Sequence, residues 1–422
     1  MRISVETSAE SVRFCVFSEK ADRKRNPNFG EFREFVFNSK GLSRFGDIHP
    51  DRLALVAILN TLPFCEDRLH ISWPVSSRFL EGSKVISRIS INSDEGTVEP
   101  IYRNESGRHA LSFSGGADSV AALAVMPKST ESVFMLRTKR GTRSLYDSEA
   151  AEESCRQLRN LGFTIHIIES DFEYLRDPIG FPTDLAVSSP AILLASSRNF
   201  ASIAFGTILE SAFGTSGVNF RNYLDSSHYR LWKTLFESAG LGYSLPVAGV
   251  SEVGTAKLCM ELPIGRFHQS CIRGKWGNPC NRCWKCFRKN TLISALEGNP
   301  ISEPSIKAIR KSKEVRKHLL ENAPIKHEGV LTYSLERASG GGDVFTHLRA
   351  LTRTGSINTS WMEHWYPHSI SLIDGGYSEY TADRLRNLLG EMSSSQIIDL
   401  HGWSNENNED REKRLAAFSK SL

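Results

Sequence analysis

The segment LSFSGGADSVAAL, residues 111–123, decides the fold. An apolar strand runs into two adjacent glycines, and an apolar helix pattern begins directly after them. Glycines permit a tight turn whose backbone N–H groups face one anion, and the helix start adds its dipole there. The hydroxyls of Ser114 and Ser119 would donate to phosphate oxygens, and Asp118 would hold a Mg²⁺ ion that bridges to a nucleotide. The segment therefore predicts a nucleotide-phosphate loop made of Ser114, Gly115, Gly116, Ala117, Asp118 and Ser119.

Two familiar nucleotide motifs are excluded for this loop. No lysine follows it as in GxxxxGK[ST], and no GxGxxG pattern accompanies it. An ordinary glycine turn, with Ser or Asp as a helix cap, is the simpler alternative. The preceding strand, the Asp–Ser pair and the following helix together favour the anion site.

Short apolar strands and longer amphipathic helices alternate from residue 106 to residue 297. This spacing predicts an α/β fold with a doubly wound parallel sheet whose ligand site lies at the carboxyl ends of the strands. The flanking regions differ: residues 1–105 predict a small α+β region, and residues 298–422 predict a mainly helical one with a frayed tail from residue 405. We therefore expect three domains, 1–105, 106–297 and 298–422. The central strands are expected at 109–113, 132–136, 164–168 and 201–205, and the helices at 118–126, 148–161, 185–198, 228–239 and 253–262.

Four of the eight cysteines fall in one window, residues 271–286. Cys280, Cys283 and Cys286 form CxxCxxC, and Cys271 precedes them by an eight-residue loop. Four thiolates on a short loop can close a tetrahedron around Zn²⁺, which predicts a structural zinc site. An iron–sulfur cluster, a redox CxxC and metal-free structural thiols are the alternatives.

Composition bounds the functional class. The chain is 40% hydrophobic and 24% charged, values typical of a globular protein, and its 52 basic and 48 acidic residues leave a net charge of +4. Such a balance argues against a nucleic-acid partner, although a local basic site stays possible. No stretch approaches the roughly 20 apolar residues that cross a bilayer, and no secretory signal is visible, so we expect a cytoplasmic protein without a membrane partner.

The two motifs together resemble a known family. SGGADS is similar to the SGGxDS signature of the PP-loop ATP pyrophosphatases, which have an adenine nucleotide alpha hydrolase-like fold. A four-cysteine motif about 150 residues after the loop, with Ser270 before its first cysteine, resembles QueC, the 7-cyano-7-deazaguanine synthase family. The resemblance covers about residues 108–292. It implies ATP, Mg²⁺ and Zn²⁺ as cofactors and cleavage of ATP to AMP and pyrophosphate.

The resemblance also implies further site residues. IAFGTILES, residues 203–211, places Gly206, Thr207 and Glu210 at the deazaguanine, and PVAGVSEVGTAKL, residues 246–258, places Lys257 beside the phosphates as a catalytic residue with Asp118 and Ser119. Thr183 and Asp184 are candidate substrate contacts in a segment where QueC carries an Arg–Asn pair, and a helix N-cap is their alternative role. Adenine is expected near Leu136 and Arg137.

Long QueC-like chains with such terminal additions resemble members of the antiphage systems Qat and type IV CBASS. This branch implies a ligase that adenylates the carboxylate of 7-carboxy-7-deazaguanine and transfers the acyl group to the N-terminus of a partner protein from the same defence operon. A conventional synthase that uses ammonia, a PP-loop enzyme that modifies tRNA, and an inactive scaffold are the alternatives.

Overall fold

The computed structural model describes residues 1–19, 22, 28–41, 43–138, 146–404 and 410–422. Its strands form one sheet in the order β10-β9-β6-β7-β8-β3-β2-β1-β4-β5. The strands are β1 (Arg2–Thr7), β2 (Ser11–Phe17), β3 (Glu34–Lys40), β4 (Arg68–Ile71), β5 (Ser90–Ser93), β6 (Arg108–Phe113), β7 (Glu131–Arg137), β8 (Thr164–Ser170), β9 (Phe200–Phe205) and β10 (Gly242–Ser244).

The α-helices connect these strands and follow them. They are α1 (Pro50–Thr61), α2 (Ser77–Ser83), α3 (Ala117–Val125), α4 (Ser148–Asn160), α5 (Ser189–Arg198), α6 (Leu209–Ala212), α7 (Ser227–Ser238), α8 (Glu252–Glu261), α9 (Trp284–Leu296), α10 (Glu303–Lys311), α11 (Lys313–Glu321), α12 (Glu328–Arg337), α13 (Asp343–Leu351), α14 (Ser378–Leu389), α15 (Ser394–His401) and α16 (Arg411–Ser421). The expected strand–helix alternation of the central region is confirmed, with ends that shift by a few residues.

The five strands β8-β7-β6-β9-β10 are parallel to one another. The chain steps outward from β6 through β7 to β8, and then crosses to the other side of β6 to form β9 and β10. Its winding direction therefore reverses between β6 and β9. In open α/β sheets, ligands bind in the crevice at the carboxyl ends of the strands beside such a reversal. The prediction of an α/β fold is confirmed.

Two separate apolar cores cover the two faces of this parallel section. Because side chains alternate along a strand, Ala110 belongs to one core and Leu111 to the other, and Ile203 and Ala204 divide in the same way. Helices α1 and α5 pack into the first core, while α3, α4 and α14 pack into the second. The strands are buried on both sides, which explains why they read as continuous apolar runs.

The strands of the first hundred residues extend the same sheet. Strand β3 pairs antiparallel with β8, and β2, β1, β4 and β5 continue outward from it. The first core also contains residues from all three expected domains, for example Phe14, Ile192 and Trp361. The terminal additions are thus packed directly against the central region.

The region after residue 297 is helical, as expected, and its aromatic residues Trp361, Trp365 and Tyr366 are buried. One expectation here is wrong: the tail is not frayed throughout. Residues 405–409 lie outside the described residues, but Arg411–Ser421 forms helix α16, whose Phe418 is fully buried. Among the residues that the structure describes, no helix is both long and apolar enough to cross a membrane.

Candidate functional site

The glycine turn between β6 and α3 has the backbone expected of an anion loop. Gly115 has φ +73°, a left-handed conformation that side chains disfavour. Gly206, at the end of β9, lies against the start of α3: a Cβ there would be 2.9 Å from Ser119 Cα. The glycines therefore let the ends of the neighbouring strands β6 and β9 meet closely. The first N–H groups of α3, which have no partner inside the helix, open at this junction.

The two loop hydroxyls are hydrogen-bonded to each other. Ser114 Oγ donates to Ser119 Oγ at 3.0 Å, and Ser119 Oγ donates to the Gly116 carbonyl at 3.0 Å. Ser114 is exposed whereas Ser119 is buried. Ser114 is therefore available to a ligand, while Ser119 holds the turn closed.

Asp118 is oriented by a residue that the sequence analysis did not select. The hydroxyl of Thr255, on α8, donates to Asp118 Oδ1 at 2.9 Å, and Thr255 is fully buried. Among the described residues, no hydrogen bond reaches Asp118 Oδ2. One carboxylate oxygen is thus fixed by the protein, and the other is left for a ligand or a cation. A single hard oxygen ligand of this kind suits Mg²⁺, which keeps most of its other ligands as water and phosphate oxygens.

A cleft of about 560 Å³ opens at the carboxyl ends of β6 and β9, where the winding reverses. It brings together six of the residues selected from the sequence, which are Ser114, Asp118, Ser119, Asp184, Gly206 and Thr207. Asp184 Oδ2 also lies 3.1 Å from His228 Nε2. The wall also includes Glu252 at the N-terminal end of α8 and Lys326 of the C-terminal region. Lys285 comes from the segment that carries the four cysteines, residues 268–290, which we call the metal loop.

Eight other selected residues are absent from the lining of this cleft: Gly115, Gly116 and Ala117 of the turn itself, Lys257, which is described below, and four more. The hydroxyl of Thr183 donates to the Leu59 carbonyl at 2.8 Å. Leu136 is buried in the core, and Arg137 forms an ion pair with Glu173 at 3.4 Å. The fourth, Glu210, is described below. An adenine contact at Leu136 and Arg137 remains a prediction, since residues 139–145 next to them lie outside the described residues.

Glu210 is buried at the N-terminus of α8 rather than exposed to a ligand. Both of its carboxylate oxygens accept the N–H of Glu252 at 3.0 Å. Burial, reinforced by the negative charge of Glu252, raises the pKa of Glu210 to about 8. Glu210 therefore caps α8, the helix that carries Thr255.

Lys257 lies elsewhere than the resemblance implies. It follows Thr255 by two residues, and two residues turn a helix by about 200°, so it projects from the opposite side of α8. Its Nζ is 3.3 Å from Glu363 Oε2. The geometry therefore does not bring Lys257 to the phosphate loop.

The cations that do line the cleft come from the metal loop and the C-terminal region. Lys285 and Lys326 are solvent-accessible and, within the described residues, have no acidic partner in ion-pair distance. Neighbouring protein atoms keep water from the Lys285 ammonium group, and this desolvation, together with the positive charge of Lys289, lowers the pKa of Lys285. Burial, together with Arg288, lowers the pKa of His327 to about 4, so this imidazole is neutral at pH 7. Sequence reasoning missed these side chains because a lysine in a basic metal loop gives no sign of which cavity it faces.

Glu252 and Arg288 form a buried ion pair at the base of the cleft. Arg288 donates to both Glu252 oxygens at 2.8 Å, and His327 Nδ1 is 3.3 Å from the same carboxylate. Burial alone would raise the pKa of Glu252, but the charges of Arg288 and its neighbours outweigh this and hold the pKa well below its usual range. The pair joins α8 to α9 and therefore fixes the two helices that frame the cleft.

The four cysteines of the loop meet in one cluster. Their sulfur atoms all lie within 4.8 Å of one another, and Cys280 Sγ is 3.8 Å from Cys286 Sγ. A tetrahedral Zn²⁺ with bonds of about 2.3 Å separates its sulfur ligands by about 3.8 Å. Backbone N–H groups of Cys280 and Cys286 donate to Cys271 Sγ and Cys283 Sγ at 3.3 and 3.4 Å, which favours the thiolate form. The predicted cluster is confirmed, and it could hold a metal ion such as zinc.

The metal loop is hydrogen-bonded directly to the glycine turn. Gln269 N–H donates to the Gly115 carbonyl at 2.7 Å, and Ser270 Oγ accepts the Ala117 N–H at 3.2 Å. Ser270 thus caps α3, whose own N-cap residue, Gly116, has no side chain to do so. Because Cys271 follows at once, the cysteine cluster anchors the segment that shapes the loop.

Comparison with known proteins gives one match. Residues 231–404 match the model of a family of unknown function, DUF6395. This segment is less than half of the chain; it contains α8, the cysteine cluster and most of the C-terminal region, and it leaves out the glycine turn. No curated protein and no solved structure matches the chain.

Proposed function

We propose that the protein is an ATP-dependent, AMP-forming ligase of the PP-loop type, with a doubly wound central domain. The observation that carries the proposal is the arrangement at the reversal between β6 and β9. A glycine turn, the N-terminal end of helix α3 and an oriented Asp118 face one cleft of about 560 Å³. That combination suits a magnesium–triphosphate better than a neutral metabolite.

In the first step, a substrate carboxylate oxygen attacks the α-phosphorus of ATP, the bond to the β-phosphate oxygen breaks, and pyrophosphate leaves. The N–H groups at the start of α3 stabilise the charge that develops on pyrophosphate. Lys285 supplies a positive charge in the same cleft. Asp118 Oδ2 would hold Mg²⁺, which would neutralise part of the phosphate charge. Thr255 keeps the carboxylate of Asp118 turned toward the cleft.

In the second step, an amine attacks the acyl carbon of the adenylate, AMP leaves, and an amide and a proton are the other products. The resemblance to QueC suggests that the substrate carboxylate is that of 7-carboxy-7-deazaguanine. The resemblance to the antiphage branch suggests that the amine is the N-terminal α-amino group of a partner protein. The pKa of such a group is about 8, so a fraction of it is uncharged and nucleophilic at neutral pH. A conventional synthase would use ammonia and continue to the nitrile.

One incubation tests this proposal. The purified protein, ATP, Mg²⁺ and 7-carboxy-7-deazaguanine are combined with ammonia or with candidate partner proteins, and AMP, small products and intact protein masses are followed. A partner that gains the mass of the acyl group supports conjugation, and free nitrile supports the synthase. Absence of carboxylate-dependent AMP under every condition would refute the ligase. Asp118→Asn, which keeps the size of the side chain and removes its charge, is the matched control and should form no AMP.

A further inference from the structure

A second concave surface lies between the metal loop and the helices α10 and α11. This groove has a volume of about 530 Å³. Its charged lining residues are Arg273, Arg282, Lys307, Lys311, Lys313 and Glu314. The groove is held together by the hydroxyl of Ser312, which donates to the Arg282 carbonyl at 2.6 Å.

Positive charge dominates the groove. Arg273 pairs with Glu314 at 2.5 Å, which leaves four cations: Arg282, Lys307, Lys311 and Lys313. All four are exposed, and within the described ranges none is in an ion pair. The groove therefore carries a local excess of positive charge.

The metal cluster does not account for this excess. Four thiolates around Zn²⁺ carry a net charge of −2, which offsets only two of the four positive charges in the groove. Lys307 and Lys311 are exposed and lie one turn apart on α10, so their charges are neighbours on the same side of the helix. Lys313 is the first residue of α11, where the helix dipole disfavours a cation. The three lysines present positive charge to one groove, which an anion bound from outside would neutralise.

We propose that the groove binds the phosphodiester backbone of a nucleic acid. The lining of the groove includes no aromatic side chain, and its aliphatic surface comes from the small side chain of Ala308. Protein and peptide partners depend on buried aromatic and apolar anchors, whereas phosphate recognition requires only cations and N–H groups. Helix α11 also begins at this groove, with Lys313 as its first residue.

The groove also leads to the candidate catalytic cleft. Glu314 borders both cavities, and next to it in the cleft lie Trp284 and His318, whose rings stack at 5.0 Å. A strand held in the groove would therefore extend toward the Asp118 site.

The test is the binding of fluorescein-labelled 20-nucleotide RNA and DNA, single-stranded and duplex, measured by anisotropy without ATP from 50 to 300 mM salt. We expect binding that weakens with salt, and the relative affinities for RNA and DNA identify the natural source of the backbone. The double variant Lys307→Glu/Lys311→Glu should lose at least tenfold in affinity and reduce the log–log salt slope by about 1.5 to 2. The control double variant Lys84→Glu/Lys233→Glu changes the net charge equally, away from the groove, and should change affinity less than twofold.

Three results would overturn the inference: no binding to any of the four probes at 50 mM salt, equal losses in the two double variants, or displacement of the nucleic acid by polyglutamate at equal charge concentration. Circular dichroism of each variant separates lost binding from lost folding. Asp118→Asn should bind as well as the unmodified protein, so failure of the ligase and failure of the groove are distinguishable.

Discussion

Thr255→Val is the most informative substitution in the candidate site. Valine has nearly the same shape as threonine and the same branching at Cβ, so the buried position on α8 stays filled. The change removes the hydroxyl that donates to Asp118 Oδ1 at 2.9 Å. Asp118 is only partly buried, so water can replace the lost hydrogen bond, and we expect the fold to survive.

The magnitude follows from the type of hydrogen bond. A hydrogen bond to a charged group contributes about 1.5–3 kcal/mol, and every 1.4 kcal/mol corresponds to a factor of ten. If the bond serves to orient Asp118 toward Mg²⁺, its loss should lower the rate of AMP formation by roughly 10- to 100-fold. The Mg²⁺ concentration for half-maximal rate should rise by a similar factor.

The assay is carboxylate-dependent pyrophosphate release at a series of Mg²⁺ concentrations. Thr255→Ser retains the hydroxyl and loses only the methyl group, so it is the matched control and should stay within about threefold of the unmodified protein. Equal rates and equal Mg²⁺ dependence in Thr255→Val and Thr255→Ser would show that Thr255 does not position Asp118.

Three further outcomes are expected. Cys283→Ser should lose the bound metal, measured by mass spectrometry, and lower the Tm by roughly 5 °C or more, whereas Cys15→Ser, outside the cluster, should do neither. Lys285→Ala should raise the KM for ATP about tenfold because it removes a cation from the cleft, while Lys257→Ala, on the far side of α8, should leave it within twofold. Glu210 has a folded pKa of about 8, above its unfolded value, so its stabilising contribution is complete below about pH 4.5 and is lost as the pH rises through 8. Between pH 4.5 and 8 the urea-unfolding free energy should therefore fall less steeply in Glu210→Gln than in the unmodified protein, by up to about 1.4 kcal/mol per pH unit. An identical pH dependence in the two proteins would contradict the assignment.

Local pattern was sufficient to predict the elements of the central region and the cysteine cluster. The glycine turn, the helix after it and CxxCxxC are all short-range features, and the structure places each where its spacing indicates. The α/β class followed from the alternation of strands and helices. These predictions depend on residues that are neighbours in the chain.

What the sequence did not indicate depends on distant contacts. The pairing of β3 with β8 joins residues about 130 positions apart, and nothing in either strand identifies the other. Thr255 and Lys257 lie on the same helix, α8. Which of them contacts Asp118 depends on how α8 is rotated about its axis relative to α3, and the local sequence does not specify that rotation. Phe418 ends a short apolar stretch, residues 415–418, inside an otherwise charged tail, and so short a stretch does not indicate which distant helix would bury it.

An ¹⁸O-labelling experiment tests most directly whether the substrate carboxylate is adenylated. The substrate carboxylate is labelled with ¹⁸O, the reaction is run with ATP, Mg²⁺ and the amine acceptor, and the AMP formed is analysed by mass spectrometry. Attack of the carboxylate on the α-phosphorus at the glycine turn predicts that each AMP carries one ¹⁸O atom. Unlabelled AMP, or ADP as the nucleotide product, would contradict the account.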